Sequence, residues 1–197
     1  MKTIGFAFGC FLIPILALSA AKSGKVELFK LDSSKSILRW EGRKLGGAHQ
    51  GELQLKTGEF SVKNGELKGG TVVVDMTTLK NNDQKGDMNA RLVKHLTSDD
   101  FFSVEKHPTA ALTFKKVEKK DGKWLVFADL TIKGITKPVT FPAEVKVQDG
   151  HFFAKGEMIV DRTNYDIRYR SLKFFADIGD KVIKDDFTIN FEISATK

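Results

Sequence analysis

The chain has 197 residues and a formal net charge of +7; 41% of its residues are hydrophobic and 29% are charged. This balance is typical of a globular protein with one domain, or at most two small ones, and excludes a disordered or integral membrane protein. The single cysteine excludes an internal disulfide and a cysteine-rich metal site. Phe accounts for 16 residues, against two Trp and two Tyr. Most aromatic rings therefore lack a polar atom and suit a core or a pocket for an apolar ligand.

Residues 1–21 have the layout of a secretory signal peptide. A short positive segment is followed by an apolar, uncharged run at 4–18, and Ser19-Ala20-Ala21 then offers the small residues that signal peptidase requires. The apolar run is shorter than the roughly 20 residues that span a bilayer, which disfavours a membrane anchor. We therefore predict a periplasmic or secreted protein with a single domain at 22–197.

Alternation of apolar and polar residues predicts strands through most of the remaining chain. In 138–147 every second residue from Val139 to Val147 is apolar, which places these side chains on one face of a strand. Asn-Gly and Asp-Gly pairs at 64–65, 121–122 and 149–150 are typical of hairpins. Comparable patterns predict the other strands at Val26–Leu31, Ile37–Arg43, His49–Lys56, Glu59–Val62, Leu67–Met76, Thr109–Val117, Trp124–Lys133, Phe152–Val160 and Asp186–Ile193.

One segment has helical periodicity instead. In Asp87–Leu96 the apolar residues Met88, Leu92 and Leu96 recur every four positions, which predicts an amphipathic helix with Asp87 as its N-cap. Eight or more hairpin-connected strands with one helix indicate a sandwich or a barrel. About eight strands can close around side chains alone or around one small ligand, and the pattern leaves both open.

Three segments, taken together and in this order, resemble a known family. They lie at 95–110, which contains Phe101-Phe102, at 130–142, and at 161–169, the last followed by Gly179-Asp180-Lys181-Val182. From about Val26 to Ile193 the chain resembles the YceI-like family of lipid- or polyisoprenoid-binding proteins.

The resemblance implies a mainly β fold, an extended, lipocalin-like antiparallel β-barrel of about eight strands with one amphipathic helix. It also implies an exported carrier or binding protein, and not an enzyme, which holds an isoprenoid lipid or the tail of a quinone inside the barrel. It suggests no catalytic residue, cofactor or metal ligand. A ligand-free extracytoplasmic stress or structural barrel is the alternative. A lipid hydrolase is disfavoured because the chain has no Gly-x-Ser-x-Gly motif.

Affinity for an uncharged tail must come from buried apolar area, so we expect ligand contacts from inward-facing strand residues. Phe101 and Phe102 follow the helix and are expected to close one end. A head group would need polar partners, for which Arg162 and Tyr165 are candidates; the alternative for Arg162 is an ion pair with Asp161 or Asp166. The expected lining on the strands consists of Trp40, Val74, Met76, Leu112, Phe114, Leu130, Phe141, Met158, Phe187 and Ile189.

Adjacent Phe residues form a further pattern, at Phe152-Phe153 and Phe174-Phe175. Neighbouring strand residues face opposite ways, so such pairs cannot both face one interior. We expect them at the barrel ends, in covering loops or at the helix contact.

The remaining expectations concern partners. Positive charge is spread over strands and hairpins, and a signal peptide argues against nucleic acid as partner. Transient contact with an anionic membrane surface and a merely solvated face both fit this charge, and a homodimer is left open. The four histidines lack metal-ligand spacing, so no metal site is predicted.

Overall fold

Nine strands and one α-helix make up the part of the chain that the computed structural model describes, residues 24–197. The predicted signal peptide at 1–21 lies outside these residues. The helix, α1, spans Gly86–Thr97. The strands are β1 Val26–Leu31, β2 Ile37–Lys44, β3 Gly47–Lys63, β4 Glu66–Asn81, β5 Thr109–Lys120, β6 Lys123–Ile132, β7 Ile135–Gln148, β8 His151–Asp161 and β9 Ile183–Thr196.

Eight of the strands form a closed antiparallel ring. The hydrogen-bonded order runs β3-β2-β9-β8-β7-β6-β5-β4, and a β3–β4 ladder closes it. The ninth strand, β1, pairs with the second half of β3 and reaches β9 through Leu31 and Ala195. It continues the wall of the barrel beyond the first residue of β2, Ile37. The predicted lipocalin-like barrel of about eight strands with one helix is confirmed.

The prediction of two separate strands at His49–Lys56 and Glu59–Val62 was wrong, because β3 is one strand of 17 residues. Its register against β4 shifts between Leu55 and Thr57. Leu55 is buried before the shift, and Phe60 and Val62 are buried after it. A β-bulge adds one residue, so the inward positions change from odd to even numbers, and a strict two-residue period breaks there.

The three predicted hairpins are present, and their turn residues have the backbone that such turns require. Asn64 and Gly65 have φ of 55° and 76°, and the Asp-Gly pairs at 121–122 and 149–150 are also positive at both positions. Two successive positive φ angles match the twist of the strands they join. These turns define the hairpin end of the barrel.

Helix α1 forms where predicted, but Asp87 is not its N-cap. The cap position is Lys85, which makes no side-chain cap, and Asp87 lies inside the first turn, where a carboxylate favours the helix dipole. The side chain of Asn89 anchors this turn by donating to the carbonyls of Asn81 and Gln84, both at 2.9 Å. The helix is therefore held by tertiary hydrogen bonds at its start.

The helix end of the barrel, opposite the hairpin end, consists of α1, residues 98–108, the β2–β3 turn and the β8–β9 connection at 162–182. No helix within 24–197 is long and apolar enough to cross a membrane.

Candidate ligand-binding site

The barrel interior contains a cavity of about 180 Å³. All strands of the ring contribute side chains to it, and Phe101 and Phe102 border it from the helix end. Its wall is aliphatic and aromatic except at one end. For comparison, an engineered cavity of about 150 Å³ lined by such residues stays dry and binds apolar molecules.

Several side chains that face the cavity are only half-buried, although they point into the barrel. Trp40, Leu112, Phe114 and Phe187 border the cavity and keep part of their surface accessible. In a core packed at the usual protein density, large inward-facing side chains have almost no accessible surface. The interior is therefore not filled by its own side chains.

Packed aromatic rings close the cavity at the hairpin end. Phe60 and Phe152 stack with their centroids 4.6 Å apart, and Phe29 lies against Phe152 at 6.1 Å. All three are buried, at 2% exposure or less. Any opening therefore lies toward the helix end.

Aromatic residues also border the cavity at the helix end. Phe101 is buried, whereas Phe102 is half-buried and meets Phe187 edge-on at 6.2 Å. The ring centre of His95 lies 5.1 Å from that of Phe101 and 4.5 Å from that of Tyr169. The second contact connects α1 with the β8–β9 connection. This cluster partly covers the cavity.

The charged groups that border the cavity all lie at its helix end. Arg162, Lys184 and Asp186 are the charged residues of the lining within the described chain. Lys184 and Asp186 are exposed to solvent, whereas Arg162 is buried. These two exposed residues mark where the lining comes nearest to the surface, although the accessible surface of the wall itself is apolar throughout. We call Gly42, Lys184 and Asp186 the mouth.

Arg162 is held by backbone carbonyls of the β8–β9 connection and of the start of β9. Its guanidinium donates to the carbonyl oxygens of Ile167 at 2.8 Å and of Lys184 and Ile183 at 3.0 Å. Burial lowers the pKa of this group, while the carboxylates of Asp185 and Asp161 oppose that shift.

The predicted alternative, an ion pair of Arg162 with Asp161 or Asp166, named the wrong carboxylates. The partner is Asp185, at 3.4 Å. Asp161 instead bonds Lys173, and Asp166 bonds Arg168, each at 2.6 Å. The reason is tertiary, because β9 returns beside β8 and places Asp185 near the arginine.

Tyr165 does not border the cavity. It is 1% exposed and packs within the core at the helix end. Its hydroxyl is buried and has no hydrogen-bond partner among residues 24–197. Burial, reinforced by the Asp161 carboxylate, raises the pKa of Tyr165 to about 12.

The other predicted contact residues border the cavity, which places them together although they come from seven strands and two loops. Whether they contact a ligand stays a prediction. They are Trp40, Val74, Met76, Phe101, Phe102, Leu112, Phe114, Leu130, Phe141, Met158, Arg162, Phe187 and Ile189.

The three residues of the mouth were not among the contact residues predicted from the sequence. Gly42 has no side chain that could take part in an alternating pattern. Lys184 lies before the predicted strand Asp186–Ile193, and the alternation in that strand places Asp186 on its outer face. The β2–β9 register shifts beside these residues, between Gly42 and Lys44. No sequence signal marked this irregularity.

The phenylalanine pairs differ from each other. Phe152 is buried inside the barrel while Phe153 is 46% exposed on its outer face. Phe174 and Phe175 lie in the β8–β9 connection at the helix end, yet they are 43% and 48% exposed and neither borders the cavity. The second pair is at a barrel end, as expected, but it does not cover the interior.

The described residues contain no group of three His, Cys, Asp or Glu side chains placed to hold a metal ion. His49 instead contacts the Asp83 carboxylate at 2.7 Å.

Comparison with known sequences identifies relatives. Residues 29–195 match the sequence profile described as YceI-like domain. A UPF0312 protein of Vibrio parahaemolyticus is 36% identical over 148 residues, which cover 73% of this chain and 74% of the relative. A UPF0312 protein of Photorhabdus laumondii is 36% identical over 99 residues, 50% of this chain and 51% of that protein, so the chain spans about half of that relative's length.

Solved structures share the fold. BcnA of Burkholderia cenocepacia has a TM-score of 0.65 at 17% identity, over 84% of this chain and 99% of that one. A structure from Saccharophagus degradans, described as a polyisoprenoid binding domain implicated in plant cell wall breakdown, has a TM-score of 0.61 at 12% identity, over 85% and 97% of the two chains. The matched profile and these sequence relatives establish that this chain belongs to the YceI-like family.

Proposed function

We propose that this protein is an exported binding protein, not an enzyme, that carries an isoprenoid lipid, such as a polyprenyl lipid or the tail of an isoprenoid quinone, inside its barrel. In this proposal residues 1–21 are a signal peptide, and residues 22–197 form one lipid-binding domain in the periplasm or outside the cell. A homodimer remains a prediction.

The observation that carries the proposal is a barrel interior that is apolar and unfilled. Each methylene-sized group transferred into such a cavity gains about 0.8 kcal/mol before entropy costs, so a tail needs no hydrogen bonds to bind. Within residues 24–197, charged residues border the cavity only at the mouth and at Arg162. An amphiphile with its tail inside and its polar head at the helix end matches this distribution.

The name of the Saccharophagus degradans relative supports the choice of an isoprenoid. That structure is described as a polyisoprenoid binding domain, and its fold is shared along most of both chains.

The proposal is tested by native mass spectrometry of the protein recovered after export, followed by organic extraction of any bound lipid. Purified empty protein is then offered nonaprenol and, as a comparator without isoprene units, palmitate. We expect a bound isoprenoid and a clear preference for nonaprenol over palmitate. A folded protein that carries no lipid and takes up neither probe would instead support the ligand-free barrel.

Two adjacent residues of β8 provide a matched pair of variants. Met158 borders the cavity and is 7% exposed, whereas Ile159 faces outward and is 64% exposed. Met158→Glu places a charge against the tail and should weaken nonaprenol uptake by at least about tenfold, whereas Ile159→Glu should retain it. Leu112→Trp fills the cavity without adding a charge and serves if Met158→Glu does not fold. Equal uptake by all three folded variants would place the ligand elsewhere.

A further inference from the structure

Four exposed apolar side chains at the helix end have no part in the cavity. Phe174 and Phe175 are 43% and 48% exposed, Leu172 is 58% exposed, and Leu45, in the β2–β3 turn, is 64% exposed. We call these four residues the helix-end patch. A single exposed apolar residue is ordinary, but a group of large ones on neighbouring loops marks an interaction site.

The two loops that carry the patch are attached to the same short segment of backbone. The amide of Leu45, in the β2–β3 turn, donates to the carbonyl of Val182 at 3.1 Å. The residue after Val182, Ile183, donates its amide to the carbonyl of Arg170 at 3.0 Å. The buried Ser171 then accepts at its carbonyl from the amides of both phenylalanines of the patch. Hydrogen bonds therefore fix the backbone that carries Leu45, Phe174 and Phe175.

The segment that carries three of the four patch residues has a net positive charge. Residues 165–184 contain five Lys and Arg against three Asp. The Arg168 guanidinium lies 4.9 Å from the ring centre of Phe174, and Lys44 directly precedes Leu45. Among the described residues, Lys44, Arg170 and Lys181 have no carboxylate within ion-pair distance. The exposed Asp177 and Asp180 of the same segment are also without an ion-pair partner there, so the excess of positive charge is small. Large apolar side chains among free cations are the composition that binds an anionic lipid surface.

The patch lies next to the mouth of the cavity. Leu45 follows Gly42 by three residues, and its bonding partner Val182 precedes Lys184 by two. A tail that leaves the barrel at the mouth would therefore emerge near Leu45 and the backbone segment to which both loops of the patch are bonded.

We propose that the helix-end patch docks the barrel on an anionic phospholipid bilayer, with the two phenylalanines and Leu45 entering the interface and the surrounding cations meeting lipid phosphates. Docking would bring the mouth to the membrane from which an isoprenoid is loaded. This role in loading rests on the proposed function. The cationic surroundings favour a lipid surface over an apolar protein partner.

The test uses the exported protein and flotation with two kinds of vesicle: phosphatidylcholine alone, and equal parts of phosphatidylcholine and phosphatidylglycerol. We expect binding to the anionic vesicles that weakens as salt is raised, and little binding to the neutral ones. The double variant Phe174→Ser/Phe175→Ser should bind the anionic vesicles at least about tenfold more weakly. Lys44→Glu/Lys181→Glu should lower binding by a similar factor at low salt.

The control is Phe153→Ser/Ile159→Ser, which removes two exposed apolar side chains, 46% and 64% accessible, from the outer wall and should leave vesicle binding unchanged. The proposal is overturned if the wild type ignores anionic vesicles, or if the control loses as much binding as the patch variant. It is also overturned if the patch variant only converts a dimer into a monomer, which would identify the patch as a contact between two copies.

Nonaprenol uptake from detergent, measured on the same proteins, separates the two proposals. Uptake without vesicle binding would refute docking and leave the lipid-carrying function standing. Vesicle binding without nonaprenol uptake would refute the lipid-carrying function and leave docking standing.

Discussion

The ring of Phe191 occupies the space that a side chain at Gly156 would need. The two residues lie opposite each other on β9 and β8, and a β-carbon at position 156 would lie 2.6 Å from Cζ of Phe191. The same β-carbon would lie 2.6 Å from the carbonyl oxygen of Pro142. Glycine is therefore required on this inward position, and the open space nearest to the ring is the cavity that Phe191 borders.

Gly156→Ala should lower the free energy of unfolding by about 1–3 kcal/mol, because the ring or the β7 backbone must move. Urea unfolding measures this change. Gly42→Ala is the control, since a β-carbon there meets no atom within 4 Å. Equal stability of Gly156→Ala and the wild type would contradict the packing described here.

Arg162→Met should destabilise the protein by about 3 kcal/mol, because it removes three hydrogen bonds to backbone carbonyls of the β8–β9 connection and of β9 and leaves Asp185 paired only with Lys173. Arg168→Met is the matched control, since that side chain is 60% exposed and should matter by less than about 0.5 kcal/mol. Thermal or urea unfolding compares the two. Similar small losses in both would show that Arg162 is not structural.

Tyr165→Phe should leave stability at neutral pH unchanged or slightly higher, because it removes a buried hydroxyl that has no partner among the described residues. The pKa of Tyr165 is raised to about 12 by burial and by Asp161. The folded state therefore disfavours its ionisation, and stability should fall as the pH rises from about 10 toward 12 in the wild type.

Tyr165→Phe should not lose stability between about pH 10 and pH 12, and urea unfolding at several pH values in this range measures the difference. Nonaprenol uptake by Tyr165→Phe tests the predicted head-group role separately. Unchanged uptake would remove Tyr165 from the site, in keeping with its position outside the cavity wall.

Asp83 links β3 to the start of α1. Burial alone would raise its pKa, but hydrogen bonds from the Gln50 amide, His49, Asn81 and Gln84 outweigh that effect and hold the pKa well below its ordinary value of 3.8. A carboxylate with a lowered pKa stabilises the fold above the unfolded pKa, and this contribution is lost as the pH falls below about 4.

Asp83→Asn should cost about 2 kcal/mol at neutral pH, and its difference from the wild type should shrink as the pH falls below about 4. Urea unfolding at several pH values measures this. Asp177→Asn, at an exposed position, is the control and should match the wild type throughout. A constant difference at every pH would show that the charge of Asp83 contributes nothing.

Regular strands were predictable because their two faces differ in polarity. In β6 the buried residues are every second one from Trp124 to Ile132, as the alternation predicts. In β3, β4 and β5 the register shifts at bulges, so the period breaks and boundaries such as Leu67–Met76 fall short of the observed Glu66–Asn81. A bulge depends on how two strands pair, which one strand's sequence does not record.

The residues of the candidate site also fall into those that alternation predicts and those that it does not. Apolar residues such as Leu112 and Phe141 could be placed on the inner wall from alternation alone, because both lie in regular strand segments. Tyr165 could not be placed, because its position depends on how the β8–β9 connection folds back. The chain leaves the regular pattern there, and hydrogen bonds from distant residues determine its course.

By itself, the sequence determined an antiparallel sandwich or barrel, the hairpin turns and the apolar inner face, since these follow from residue period and local backbone preference. The family resemblance carried by its motifs added the choice of a barrel and the lipid-binding hypothesis. Only the tertiary structure decided that the interior is unfilled, that Asp185 is the partner of Arg162, and that Phe174 and Phe175 point to solvent. Cavities, ion pairs and exposed patches depend on which distant segments meet, and that is a property of the closed ring and its connections.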